Sequence, residues 1–122
     1  MLALIGAQAE ATPSVEPESD ADIVVLARRL DSWRGRARER NGELECQIIR
    51  SSGDRDVDQI GCNAMTICIT QLRPTLALHG SERNRTRRRA LQIAANQALS
   101  NCVRSQRQTQ LEALGDRRAG IE

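Results

Sequence analysis

Apolar residues recur at helical spacing in three stretches of the chain and alternate strictly in a fourth. Ile23, Leu26, Ala27 and Leu30 form the first helical stripe. Ser19 and Asp22, in an [ST]-x-x-[DE] start, precede it. Trp33 falls where the stripe would end. Arg34, Arg36, Arg38 and Arg40 then occupy every second position, which is strand periodicity. Asn41-Gly42 follows, the preferred pair for a two-residue type I′ turn. The return strand carries Leu44, Cys46 and Ile48 on one face and Glu43, Glu45 and Gln47 on the other. Folding at Asn41-Gly42 sets Arg40 opposite Glu43, Arg38 opposite Glu45 and Arg36 opposite Gln47. It also sets Glu39 opposite Leu44, Ala37 opposite Cys46 and Gly35 opposite Ile48. Charge, pattern and turn chemistry agree on this one register.

Ser51-Ser52-Gly53-Asp54 breaks the strand. Asp54, Asp56 and Asp58 load the start of a second helix with negative charge, where its dipole favours it. Val57, Ile60, Ala64, Ile67 and Cys68 share one stripe. Pro74 is expected to end this helix, leaving residues 72–80 as a short extended segment or loop. A final helix is expected over residues 84–114, with Leu91, Ala95, Ala98 and Cys102 as its stripe and Leu99 and Val103 beside it. The predicted fold class is α+β: a small β-hairpin packed by helices, a long C-terminal helix and two disulfides. Residues 20–115 would form one domain, between a linker at 10–19 and a tail at 116–122.

The four cysteines are Cys46, Cys62, Cys68 and Cys102. On one helix, Cys62 and Cys68 would lie ~9 Å apart along the axis and ~120° apart around it. Disulfide Cα atoms lie within ~7 Å, so these two cannot pair while the helix is intact. Cys68 and Cys102 lie on apolar stripes that face each other when helices pack. Cys46 lies on the apolar face of its strand, near Cys62 in sequence. The expected pairs are Cys46–Cys62 and Cys68–Cys102. A zinc site would compete for the same thiols, but the spacings contain no C-x-x-C knuckle. Free cysteines packed as small hydrophobes are the other alternative.

Composition sharpens this picture. Trp33 is the only aromatic among 122 residues, so the core depends on aliphatic side chains that each bury less area. A chain of this length forms one domain with a thin stability margin. All 18 cationic residues are arginine, and the net charge is only +2. That balance points to no nucleic-acid partner. Residues 1–9 are apolar and end in Ala7-Gln8-Ala9, a small-x-small cleavage pattern, and read as the remnant of a signal peptide. Residues 10–20 carry Pro13, Pro17 and four acidic residues and read as solvated linker. No run reaches the ~20 apolar residues of a membrane span. The expected location is periplasmic or secreted, where disulfides persist.

The run Gly42-x-Leu44-x-Cys46-x-Ile48-x-x-Ser51-Ser52-Gly53, followed by Val57-Asp58, Cys62 and Leu72-Arg73-Pro74, resembles the C-terminal domain of TonB-type energy transducers. The resemblance spans about residues 41–80. Members show a glycine turn and strand, then Ser-Ser-Gly, then a helix opening with a hydrophobic-Asp pair. The family's final strand, which meets a receptor's peptide, has no counterpart here. The resemblance therefore implies a fold fragment and a cell-envelope setting, and no binding residue is carried over.

No catalytic constellation accompanies these patterns, and the expected protein is not an enzyme and needs no cofactor. His79 is the single histidine and has no Cys, Ser or carboxylate partner placed near it. Ser51 and Ser52 lack the G-x-S-x-G elbow. The aspartate series lacks the glycine and closing glutamate of a calcium loop, and no metal site is expected. Two functions remain. An open sheet edge could recruit a peptide strand from an unknown envelope protein. Alternatively, Arg83, Arg85, Arg87, Arg88 and Arg89 could bind an anionic surface or lipid headgroup, since positive charge at a helix start is locally unfavourable and invites an anionic partner.

Overall fold

A computed structural model describes residues 19–121. The expected signal-peptide remnant and almost all of the expected linker lie outside them. The order is α1 (Ile23–Asp31), β1 (Arg34–Arg40), β2 (Glu43–Arg50), α2 (Arg55–Ser81) and α3 (Arg85–Ala119). This is the α+β arrangement expected from the pattern, with both disulfides formed as paired above.

Helix α1 starts at Asp22, whose carboxylate accepts from the Val24 N–H at 2.8 Å. The expected role of Ser19 is thereby corrected. Its hydroxyl oxygen accepts from the Ala21 N–H instead, and its carbonyl accepts from the Asp22 N–H, so the turn ahead of the helix uses it up. Arg28 and Arg29 occupy the last turn, where the dipole favours cations. The buried face is Val25, Leu26 and Leu30.

The hairpin follows the expected register from Gly35↔Ile48 to Arg40↔Glu43. Asn41 and Gly42 have φ of 55° and 81°, the left-handed pair that a type I′ turn requires. An irregularity between Arg34 and Gly35 leaves Ile49 unpaired, since Arg34 lies opposite Arg50.

Helix α2 does not stop at Pro74. It runs through to Ser81, so residues 72–80 are helical and His79 sits in the last turn, half-buried. Proline removes one N–H bond and crowds the preceding turn. Here Pro74 and the Thr70 carbonyl it leaves unbonded both lie on the exposed side, where water can serve the carbonyl. Leu72, Leu76 and His79 stay half-buried, and packing of α2 along α3 carries the helix past the break. Helix α3 runs past the expected end at Leu114 to Ala119, so the expected tail begins as helix. The added turn packs Gly115 at Leu26 and carries Arg118, which bonds Asp54 and Asp56 at the start of α2.

Trp33 is the centre of this core, 3% exposed. It lies beyond α1, in the link to β1. Gly61 on α2 and Gly35 on β1 both pack on its ring, and a Cβ added at Gly61 would meet the indole at 2.6 Å. The distal half of the α2–α3 pair is thinner. Its buried residues are Ala64, Cys68 and Ala95, which supply little apolar area. The Cys68–Cys102 disulfide, with Cα atoms 5.8 Å apart, holds the helices there. With sequence separations of 16 and 34, chain-entropy arguments give Cys46–Cys62 about 3 kcal/mol and Cys68–Cys102 about 4 kcal/mol.

Gly61→Ala should therefore lower stability by about 1–3 kcal/mol, because the methyl overlaps a ring with no room to retreat. Chemical denaturation followed by Trp33 emission measures this. An unchanged midpoint would mean that the indole is not wedged between the two glycines.

Candidate functional site

The hairpin is the best-defined surface. In a two-residue hairpin the residues flanking the turn exchange hydrogen bonds, and bonded and non-bonded pairs alternate from there. Arg40–Glu43, Arg38–Glu45 and Arg36–Gln47 are the bonded pairs. Leu44, Cys46 and Ile48 on β2, with Gly35, Ala37 and Glu39 on β1, thus turn their N–H and C=O groups outward. The sheet has two strands, so among the described residues neither outer edge is paired.

Three devices position this hairpin. Cys46–Cys62 ties β2 to α2, with Cα atoms 5.6 Å apart. Trp33 packs between Gly35 and Gly61, fixing the other strand over the same helix. Asp58, in the first turn of α2, accepts from the Ser51 hydroxyl at 2.5 Å, the Ser52 hydroxyl at 2.6 Å and the Ser52 N–H at 2.7 Å. Burial works to raise the Asp58 carboxyl, but these three donors outweigh it and hold it below its ordinary value. Ser51 and Ser52 therefore serve the strand-to-helix link.

The two hairpin faces differ. Leu44 and Cys46 are half-buried towards α2, whereas Ile48 is 45% exposed and Ile49 62% exposed at the open end. On the outer face Arg36 bonds to its direct partner, while Arg38 and Arg40 reach diagonal ones. Arg36 Nε donates to Gln47 Oε1 at 2.9 Å, Arg38 reaches the same oxygen at 3.5 Å, and Arg40 pairs with Glu45 at 3.5 Å. Both members of the Arg40–Glu45 pair are exposed, so it adds little stability.

A second polar cluster locks three elements where α2 begins. Asp54 caps α2, accepting from the Asp56 and Val57 N–H groups. Arg118 donates to both its oxygens, at 2.7 and 2.9 Å, and also to Asp56 at 2.9 Å. Arg29 from α1 donates to Asp54 at 3.2 Å. Hydrogen bonds from Arg118, opposed by burial and supported by the backbone donors, bring the Asp54 carboxyl down to about 2. The same contacts raise Arg118 above its ordinary value. Sequence patterning set Asp54 at the start of α2 only as charge favoured by the helix dipole, without assigning it the cap, and missed Arg118. The available signal was the Arg117-Arg118 pair in the last turn of a helix, where cations are favoured.

Arg83, Arg85, Arg87, Arg88 and Arg89 lie at the α2–α3 turn, all exposed and without an ion pair among the described residues. Asn84 caps α3 through the Arg87 N–H at 3.0 Å. Between residues 59 and 111 the only acidic residue is Glu82, so this end of the helix pair is strongly basic. Acidic residues gather at the opposite end, around Asp54. Among the described residues, no group of three His, Cys, Asp or Glu is gathered to hold a metal, and no helix is long and apolar enough to cross a membrane. No family model, curated protein or solved structure matches the chain.

The Asp54 cluster sets an acid limit on the fold. Its carboxyl falls from 3.8 when unfolded to about 2 when folded. The stabilisation is thus complete above the unfolded value and is lost as pH falls through about 2, worth about 2 kcal/mol. Asp54→Asn should remove most of it near neutral pH and flatten this part of the acid limb. Denaturation midpoints from near pH 6 down to about pH 2 check this, and an Asp54→Asn curve parallel to the parent would refute it.

Proposed function

We propose that this chain is an exported, non-enzymatic cell-envelope protein that binds an extended segment of a partner protein along an open hairpin edge. The observation carrying this reading is the unpaired β2 edge held on a covalently fixed platform. Strand addition supplies main-chain hydrogen bonds for affinity, and alternate side chains supply selection. The β2 edge suits it better than β1. Exposed Ile48 and Ile49 offer apolar contact there, while the arginines of β1 have the character of a charged guard against pairing. Two disulfides in so short a chain favour an oxidising compartment. The TonB-like run over residues 41–80 favours an envelope setting.

Ile48 directs its N–H outward, so Ile48→Pro deletes an edge donor while sparing the bonds within the hairpin. A photo-crosslinker at Ile49, introduced in the protein's own cells, should trap one envelope protein in the parent and lose that adduct in Ile48→Pro. The same adduct in both, or none in either, would overturn edge capture. Alkylation and peptide mass spectrometry on this material should find no free thiol. Four free thiols would remove the argument for export.

A second reading has its own observation, the five arginines at the α2–α3 turn that lack partners among the described residues. Like charges at Arg85 and Arg89 repel across one helical turn and oppose the dipole. A surface of anionic headgroups would relieve both. Flotation with anionic vesicles should then capture the protein at low salt and release it at high salt. Replacing Arg87, Arg88 and Arg89 by Gln should abolish capture, and salt-independent capture would exclude this reading.

A further inference from the structure

A groove of about 650 Å³ runs between α1 and α3, away from the hairpin edges and the arginine-rich turn. This lies within the roughly 300–1,000 Å³ typical of small-molecule sites. Ala27, Leu30, Leu99, Val103 and Leu111 give it apolar walls. Its lining spans residues 96–111 of α3, about 22 Å of helix. The groove is therefore long and more apolar than polar in surface, although Asn96, Ser100 and Gln108 also line it.

Arg107 gives one part of the groove a different character. Its guanidinium lies over the Trp33 ring, 5.7 Å from the centroid. Its Nε is buried without a hydrogen-bond partner, and Arg107 makes no ion pair among the described residues. Burial pulls the group below its ordinary value, Asp31 acts against this, and Arg34 adds to it. A guanidinium with unused donors beside apolar walls is costly unless an acceptor reaches it. The cation–π contact with Trp33 holds the guanidinium from one side, and Arg107 also lines the groove, where a planar anion can reach it. Arg104 and Asp31 also line the groove, and Asp31 acts on Arg107, so two cations and one anion line it. The lining itself thus carries a surplus of positive charge, to which nearby Arg34 adds.

We propose that this groove binds a long-chain carboxylate, with the carboxylate on Arg107 and the acyl chain along Leu30, Leu99 and Val103. The carboxylate matches the planar guanidinium in shape, and its negative charge answers the surplus of positive charge there. An aromatic base would find no stacking partner, because Trp33 is buried and is the only aromatic in the chain. The proposal is independent of strand capture, since the groove and the hairpin edge share no residue.

Trp33 is the only tryptophan and touches Arg107, so its emission reports occupancy directly. The full chain would be titrated with laurate and with dodecanol, both below the concentrations at which they aggregate. Laurate should change the emission saturably with one site per chain, and dodecanol should bind about tenfold more weakly or worse. Arg107→Gln should bring laurate down to the affinity of dodecanol. Val103→Asp, on the groove wall away from Trp33, should weaken both, and far-UV circular dichroism should show each variant folded. Equal binding of laurate and dodecanol, undiminished laurate binding by Arg107→Gln, or no saturable change with laurate would each overturn the proposal. Should Arg107→Gln fail to fold, the laurate–dodecanol comparison and Val103→Asp decide the matter.

Discussion

The wedge of Trp33 between Gly35 and Gly61 is the contact on which the rest of this structure depends. Four of the five elements meet it. Leu30 of α1 leads into it, β1 and α2 close on its ring through glycines, and α3 sets Arg107 over it. In a chain with no other aromatic, this one side chain supplies a large share of the area that the central core removes from water. The glycines let the hairpin and α2 approach the ring closely, so the indole is clamped rather than merely covered. The angle of the hairpin over α2 follows from that clamp and from the Cys46–Cys62 bond beside it.

Away from this centre, cross-links and charge take over from hydrophobic burial. Small residues line the distal α2–α3 contact, and a disulfide compensates for the area they do not bury. Where α2 begins, Asp54 gathers Arg118 and Arg29, joining the last turn of α3 to α1 beside the Leu26–Leu114 contact. The carboxylate is mostly buried and accepts from backbone and guanidinium donors together, which makes this cluster more valuable than an exposed ion pair. The same arrangement segregates charge. Carboxylates collect at this end, and the opposite end of the helix pair is left almost wholly cationic.

The proposed binding surfaces follow from what these constraints leave unused. A hairpin anchored through one face and one disulfide keeps its edges free. A short α1 covers only the C-terminal part of α3 and leaves an apolar groove beside it, with Arg107 at its wall. Neither surface needs rearrangement of the core to be occupied, so each can be tested separately.

Much of the local structure was legible in the sequence because it depends on neighbours along the chain. The Arg34 to Arg40 alternation, the Asn41-Gly42 turn and the facing glutamates specify a register through contacts within 17 residues. The disulfide pairing followed from helical geometry, which forbids Cys62–Cys68, and from apolar stripes that must face each other. What the sequence could not decide depended on partners far along the chain. Pro74 reads locally as a stop, and only the packing of α2 on α3, with the exposed placement of that turn, lets the helix continue to Ser81. Residues 116–119 read as tail because Arg118 finds Asp54 and Asp56, its partners in the added turn, only across more than 60 residues of chain. Likewise, Arg107 is one arginine among 18 in the sequence. The tertiary structure alone places it over Trp33 at the side of a groove, because burial and lost hydrogen-bond partners arise only when distant segments pack.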